Sequence, residues 1–392
     1  MKLLDPKIQD YINSHVGNDI AKMAFAKNPF EAIDFKDILN QIAAKTKAEH
    51  KLPLWFSTEN IIYPSKISVE QTSSEITAKY KASLVSGETL IDLSGGFGVD
   101  DYYFSKQFNK VVHCEMQQDL SEIVGHNFKQ LAATNIDCHF GESTELLKNL
   151  NQNWDCIYVD PSRRNESKGK VFMLSDCSPN VEELLPLYLS YSNTILIKTA
   201  PILDISAAMQ ELIYVKEIHL VAVNNEMKEI LFLIEKGFRD DPKVICINFN
   251  KIDIQKVIFA LNAEVSPNYS LPKQFLFEPN STIMKSGEFN QLSQQLNLPK
   301  LHQHSHLYTS DIEFAFPGRS FRIEEVLEYN KTGISKVTAL KKSNITTRNF
   351  PLSVEDLRKK MKVKDGGNFY CFFTTNLNND KIILICSKIT TL

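Results

Sequence analysis

No run of apolar residues in this chain approaches the roughly 18 that a membrane-crossing helix requires. Its start, MKLLDPKIQDYINSH, lacks the basic region and apolar stretch of a signal peptide. The sequence is therefore expected to be cytoplasmic, with no membrane partner. The seven cysteines, at 114, 138, 156, 177, 246, 371 and 386, include no CxxC pair, which excludes the common zinc and redox spacings. Cys114, Cys138, Cys156, Cys246 and Cys386 lie in or beside apolar runs, where a thiol is expected to act as a small buried hydrophobe. Repeats and low-complexity tracts are missing as well.

A strong overall charge is also lacking, since the net value is −3, but the charge is unevenly spread. From Arg319 to Leu392 there are 14 Lys and Arg against 7 Asp and Glu, leaving the preceding residues with 30 against 40. A basic tail on an acidic body fits a polyanion-binding module, because Lys and Arg displace counterions from phosphates. It equally fits a solvated basic face. LKKSNITTRN and DLRKKMKVKDGG supply most of the cations and are candidate phosphate contacts.

Residues 1–67 read as a small helical domain in which Phe35, Ile38, Leu39 and Ile42 form one apolar stripe. A helix entered at Ser68 follows. From Glu88 to Gly237 short apolar runs alternate with helical stretches. The runs are 89–93, 110–115, 136–140, 156–160, 194–198, 214–223 and 229–235. Such alternation predicts a parallel sheet with helices on both faces. Only NNEMK separates the last two runs, and so short a turn permits only an antiparallel hairpin. The alternating α/β domain is placed at 68–238, a small α/β connector at 239–320 and a final α+β domain at 321–392.

Ligands of an open parallel sheet bind at the carboxyl ends of its strands. The first such end is Asp92-Leu93-Ser94-Gly95-Gly96-Phe97-Gly98, where glycines allow a sharp turn and close approach to a ligand. A dinucleotide fingerprint reading from Gly96 would need a third glycine where Asp101 stands. That carboxylate suits a cationic ligand better than a pyrophosphate, as do Asp92 and Asp100. Glu115 ends the second run at the distance where an acid accepts both ribose hydroxyls. Glu142, in the Gly141-Glu142 turn, could meet an adenine amino group or simply favour a helix start. Asp160-Pro161-Ser162-Arg163-Arg164 ends the fourth run: the acid faces the reaction position, and the arginines can pair with phosphate or stack on a base.

These features together resemble class I S-adenosylmethionine-dependent methyltransferases. EQTSSEITAKYKA, DLSGGFGVD, DPSRR, LFEPN and LYTSD, in that order, resemble a bacterial methyltransferase family with a helical amino-terminal domain, a ferredoxin-like connector and a THUMP-like carboxyl-terminal domain. The resemblance implies a Rossmann-like seven-stranded sheet with an antiparallel last strand. It places Gly95, Gly96 and Gly98 around the methionine part of S-adenosylmethionine and Asp92 near its amino group. Glu115 would hold the ribose, Glu142 the adenine edge, and Asp160 and Pro161 would border the methyl acceptor. THUMP domains bind RNA, so RNA is the expected partner. In the resembling enzymes that methylate amines, a second proline and an aromatic residue stand where this chain has Ser162 and Arg163. Carbon methylation would instead need a cysteine nucleophile, for which Cys177 is the candidate.

The expected function is S-adenosylmethionine-dependent methylation of RNA, on a base amino group or another nucleophile. The alternatives are a protein that binds S-adenosylmethionine or RNA without turnover, and a methyltransferase for a protein or small molecule. His302, His304 and His306 alternate, and are expected as a polar strand edge rather than a metal site.

Overall fold

A computed structural model describes residues 2–64, 66–163 and 173–389, with the backbone alone at 66–68 and 163. The chain forms two compact units, one of Met1–Lys216 with Ile230–Arg239 and one of Glu217–Glu229 with Asp240–Leu392.

In the first unit, β1 (Gly87–Asp92), β2 (Phe108–Glu115), β3 (Ile136–Phe140), β4 (Cys156–Val159) and β7 (Thr194–Thr199) are all parallel. Their order is β3-β2-β1-β4-β7. A small pair, β5 (Ser162–Arg163) with β6 (Cys177–Ser178), follows β4. The run at 226–235 is β9 (Glu226–Glu235), and it lies antiparallel beside β7, as the sequence predicts for the closing strand. Reversing between β1 and the strands on either side makes the end of β1 the crevice of this sheet.

Residues 1–67 pack in the same unit. The predicted stripe is present, with Ile38 and Ile42 buried against Ile8 and Ile12 in the helix Phe35–Lys51. The expected single helix from Ser68 is instead two, Lys66–Gln71 and Glu75–Ala82. Ser74 caps the second reciprocally with Thr77, an arrangement that contributes about 1 kcal/mol and sets the break. Further along, Trp55 and Tyr63 pack on Phe97, so the amino-terminal segment buttresses the glycine loop.

In the second unit, β8 (Val215–Val223) and the start of β9 form a hairpin whose turn residues Asn224 and Asn225 both have left-handed φ, of 51° and 64°. Such turns match the twist of adjacent strands. β10 (Lys243–Phe249) runs parallel to β8, and β11 (Ile254–Ala260) antiparallel to β10. The sequence places these last two strands in a separate connector; in the fold they extend from the hairpin.

A six-stranded sheet completes this unit in the order β13-β12-β14-β17-β16-β15. Its strands are β12 (Phe275–Pro279), β13 (Tyr308–Ser310), β14 (Gly318–Glu328), β15 (Asn344–Arg348), β16 (Phe369–Thr375) and β17 (Lys381–Lys388). Alternation along β16 and β17 sends Cys371, Phe373, Ile383 and Ile385 to one face, where Val337 and Leu357 of two helices cover them. Phe372, Ile382, Leu384 and Cys386 go to the other, against Leu276 and Phe321.

Candidate functional site

The loop after β1 is held from within. Ser94 donates its N–H and its hydroxyl to Asp92 Oδ1 at 2.7 and 2.8 Å. The same Ser94 Oγ accepts the Asp160 N–H at 2.7 Å, so it ties the ends of β1 and β4 together. The three glycines differ in what they do. A Cβ on Gly95 would stand 2.4 Å from His113 Cε1 and 2.6 Å from the Cys114 carbonyl oxygen, and one on Gly98 would stand 2.5 Å from Phe128. These two therefore let the loop seat on β2 and on the helix Gln118–Gln130. Gly96 has left-handed φ (59°), and a Cβ there would meet only the Ser94 carbonyl oxygen, at an ordinary contact distance of 3.6 Å. Of the three, Gly96 is the one whose need for glycine comes from its backbone conformation rather than from a close neighbour.

Beneath the loop lies a buried layer of titratable side chains. Asp101 Oδ2 bonds His113 Nδ1 at 2.8 Å, and both side chains are wholly buried. Burial, and next the charge of Asp101, pushes the Asp92 carboxyl well above its usual range. Burial and neighbouring Asp100 do the same to Asp101, and burial lowers His113. Asp100 behaves oppositely. Burial opposes its ionisation, but Lys81, Lys198, Ser73 and Tyr158 outweigh it and hold its pKa low. It accepts hydrogen bonds from Ser73 and Tyr158, each at 2.8 Å, and lies 3.3 Å from the buried Lys81 ammonium. Of the three acids near the loop, all are thus engaged within the protein.

Glu115 ends β2 at the loop's outer face: Oε2 accepts the Gly96 N–H at 3.0 Å and Oε1 the Gln117 N–H at 2.8 Å. A carboxylate has about four acceptor positions, so it retains capacity for hydroxyl donors. Phe140 of β3 is its register partner, and the Gly141 N–H donates to the Glu115 carbonyl. Two apolar side chains stand out at these strand ends, Met116 at 68% and Phe140 at 54% exposure. The sequence reading missed both; a large apolar residue directly after an acidic strand end is the signal that could have found Met116. Glu142 is exposed and caps the helix Ser143–Leu150 by accepting the Glu145 N–H at 2.8 Å. Its helix-start alternative is thus realised.

At the end of β4, the Asp160 carboxylate forms an ion pair with Lys198, the penultimate residue of β7. Asp160 is 36% exposed at its side chain and Lys198 13%. Lys198 was also missed, although a lysine closing the apolar run TILIK is a visible anomaly. Pro161 is buried, and Ser162–Arg163 pairs with Cys177–Ser178, which brings Cys177 beside the motif. Arg164 lies outside the described residues, and only the backbone of Arg163 is described.

The histidine expectation needs correction. Residues 302–306 form a turn rather than a strand. His302 bonds Asn379 and Asn349, while His306 stacks on Phe289 at 3.6 Å. Among the described residues no group of three metal-binding side chains occurs. No described helix is long and apolar enough to cross a membrane.

The basic tail resolves into two populations. Several cations are spent in pairs: Lys336 with Glu325, Arg319 and Arg348 with the buried Glu278, and Arg358 with Asp365. Lys341, Lys342, Lys359, Lys362 and Lys364 are exposed, and a bridge between Lys342 and Lys364 joins their two loops into one corner. Gly367, left-handed like Gly366, lets the chain pass close to this bridge: a Cβ there would stand 3.0 Å from the Lys342 carbonyl oxygen.

Residues 318–388 match a THUMP domain-like family model, and residues 275–317 a ferredoxin-like domain model. The fold is that of a methyltransferase. Over 99% of its length the chain is similar to the crystal structure of a candidate methyltransferase from Porphyromonas gingivalis W83, covering 98% of that chain at 27% identity and a TM-score of 0.86. Lesser likenesses are to an rRNA methylase from Streptococcus thermophilus (15% identity, 42% of this chain, 96% of that one, TM-score 0.31) and to M. capricolum TrmK in complex with S-adenosyl-homocysteine (14%, 44%, 71%, 0.33). These two are too slight to bear on this chain's activity. No curated protein matches the sequence. The methyltransferase fold and its THUMP-like end thus agree with the resemblance seen in the motifs.

Proposed function

We propose that this protein is an S-adenosylmethionine-dependent methyltransferase that acts on RNA. The observation that carries the reading is the geometry at the ends of β1, β2 and β3: an uncrowded left-handed glycine at Gly96, a carboxylate bonded to it at Glu115, and exposed Met116 and Phe140 at the neighbouring strand ends. A ribose edge fits the acid, and an adenine plane fits the two apolar side chains. S-adenosylmethionine supplies a sulfonium methyl group to such a site. Gly96 and Asp92 would flank its methionine part, with Gly95 and Gly98 seating the loop and Asp100 acting as a strut. Glu142 would border the adenine edge.

Asp160, Pro161, Arg163 and Arg164 would border the acceptor, and the corner at Lys341, Lys342, Lys359, Lys362 and Lys364 would dock phosphates. Methyl transfer in line needs mostly positioning, so few side chains need to react. Calorimetry with S-adenosylmethionine and with NADH tests the first half: binding of the former is expected, and preference for NADH, or no binding of either, overturns it. Transfer of labelled methyl groups into fractionated cell RNA tests the second half. Label confined to protein or small molecules would show the RNA part to be wrong.

A further inference from the structure

Lys198 carries a consequence for the acceptor atom. Its ammonium stands against the Asp160 carboxylate, the side chain that borders the reaction position, and it also acts on the buried Asp100. Burial alone would raise the Asp100 carboxyl, yet Lys81 and Lys198 are the leading causes that hold it low. Lys198 thus acts on two carboxylates, as the ion-pair partner of Asp160 and as one of the cations that hold the Asp100 pKa low. Asp160 itself is fixed in place, because its N–H donates at 2.7 Å to the Ser94 hydroxyl that also bonds Asp92. The acceptor end of the site is therefore a carboxylate whose charge is cancelled by an ammonium held beside it.

This charge pattern discriminates between nucleophiles. A neutral amine that attacks a sulfonium methyl takes the positive charge onto nitrogen, and is helped by an uncompensated carboxylate. An ammonium in contact with that carboxylate works against it, since like charges repel most strongly where water is excluded. A hydroxyl has the opposite need. Its oxygen is a weak nucleophile until the proton is accepted, and negative charge then develops on it, which a fixed cation stabilises.

We propose that the acceptor is an aliphatic hydroxyl, which in RNA is the ribose 2′-hydroxyl, and that Asp160 and Lys198 act on it together. This rests on the reading of the chain as an RNA methyltransferase and narrows it to one atom. The hydroxyl oxygen's lone pair forms the new O–C bond as the C–S bond breaks, and the electron pair of that bond stays on sulfur. The hydroxyl proton passes to the Asp160 carboxylate and from there to water. Lys198 donates a hydrogen bond to the oxygen throughout and keeps its own proton.

The test is the identity of the methylated product, read after labelled methyl transfer into fractionated cell RNA. Alkaline hydrolysis cleaves every linkage that has a free 2′-hydroxyl. Label is expected in alkali-resistant dinucleotides and in ribose-methylated nucleosides. Label in base-methylated mononucleotides overturns the inference while the RNA reading stands, and absence of label from all RNA fractions overturns both. Lys198→Met is expected to lower kcat by about 10²–10³-fold, the range found when one donor to a developing anion is removed. Calorimetric binding of S-adenosylhomocysteine should change by less than about threefold, which distinguishes a local effect from a folding defect. Lys198→Arg, which keeps the charge, should recover part of the rate. A Lys198→Met protein that binds normally and turns over within about threefold of the parent would show that Lys198 has no part in the reaction.

Discussion

The strand ends of the first unit and the lysine corner of the second both concentrate ionisable side chains, and they manage them in opposite ways. Around the glycine loop each acid is buried or half-buried and has a partner: Asp92 with Ser94, Asp100 with Lys81, Asp101 with His113, Asp160 with Lys198. At the corner, five lysines of one sign face solvent, while Glu325 and Asp365 of that domain are paired with Lys336 and Arg358. Buried pairs contribute little net stability but fix geometry, because breaking one leaves an uncompensated charge. Exposed like charges fix nothing and accommodate a flexible polyanion through released counterions. The first arrangement suits chemistry on one atom; the second suits docking many phosphates.

The comparison breaks most readily at the corner. Replacing Lys341, Lys342, Lys362 and Lys364 together by Ala is expected to weaken binding of bulk transfer RNA by about 10²–10³-fold at physiological salt and to flatten the salt dependence by about 3 in slope, at roughly 0.7–0.9 per phosphate contact. Lys336→Ala, which removes a cation already paired with Glu325, should leave both unchanged. Filter-binding titrations over a salt series read both numbers. Equal effects from Lys336 and the corner would mean that pairing does not sort these cations, and retention of RNA-strength binding on anionic vesicles would point to a surface without preference for RNA.

A smaller effect is expected at the loop. Gly95→Ala places a Cβ at 2.4 Å from His113 Cε1 and 2.6 Å from a β2 carbonyl, both in the buried layer. Neither can move without disturbing the Asp101–His113 pair, so a loss of about 1–3 kcal/mol is expected in denaturant unfolding, with weakened S-adenosylmethionine binding. A Gly95→Ala protein that matches the parent in both would show the layer to be softer than its burial suggests.

These effects bear on how much the sequence disclosed. The parallel runs, the closing hairpin and the loop–acid spacing from Asp92 to Glu115 were legible because they are local patterns of apolar alternation, glycine and chain distance. Met116 and Lys198 left a visible trace in the sequence, but their meaning, like that of Lys81 and Phe140, depends on which elements become neighbours. Asp100 was misjudged for the same reason: a carboxylate next to a glycine loop reads as ligand-facing until Ser73 and Tyr158, 27 and 58 residues away, are found to hold it. The basic tail was visible as a count, but the pairing that separates its exposed cations from its ion-paired ones is a three-dimensional property. The histidines failed because alternation implies a strand only where the backbone is extended, and residues 302–306 turn.

One of those histidines supplies the smallest and most discriminating effect. His306, half-buried against Phe289, is lowered to about 4 by burial first and then by Lys300, Arg348 and His304. The unfolded chain binds a proton near 6.5 while the folded second unit refuses it until about 4, so stability is fully present above 6.5 and is lost as pH falls towards 4. Asp92 and Asp101 of the first unit have raised values and run the other way: their contribution is present below the ordinary value of 3.8 and is lost as pH rises through their folded range. Acidification across this window therefore loads the second unit through His306 while relieving two acids of the first. His306→Phe keeps a ring to stack on Phe289 and removes the titration. Over pH 6.5 to 4 the parent is expected to lose roughly 1–2 kcal/mol more than the variant, after allowance for solvent screening at a half-buried site. Denaturant unfolding at a series of pH values measures the difference, in which the shared contributions of His113, Asp92 and Asp101 cancel. Parallel curves would mean that His306 is protonated as easily folded as unfolded, and that its burial against Phe289 does not hold off the proton.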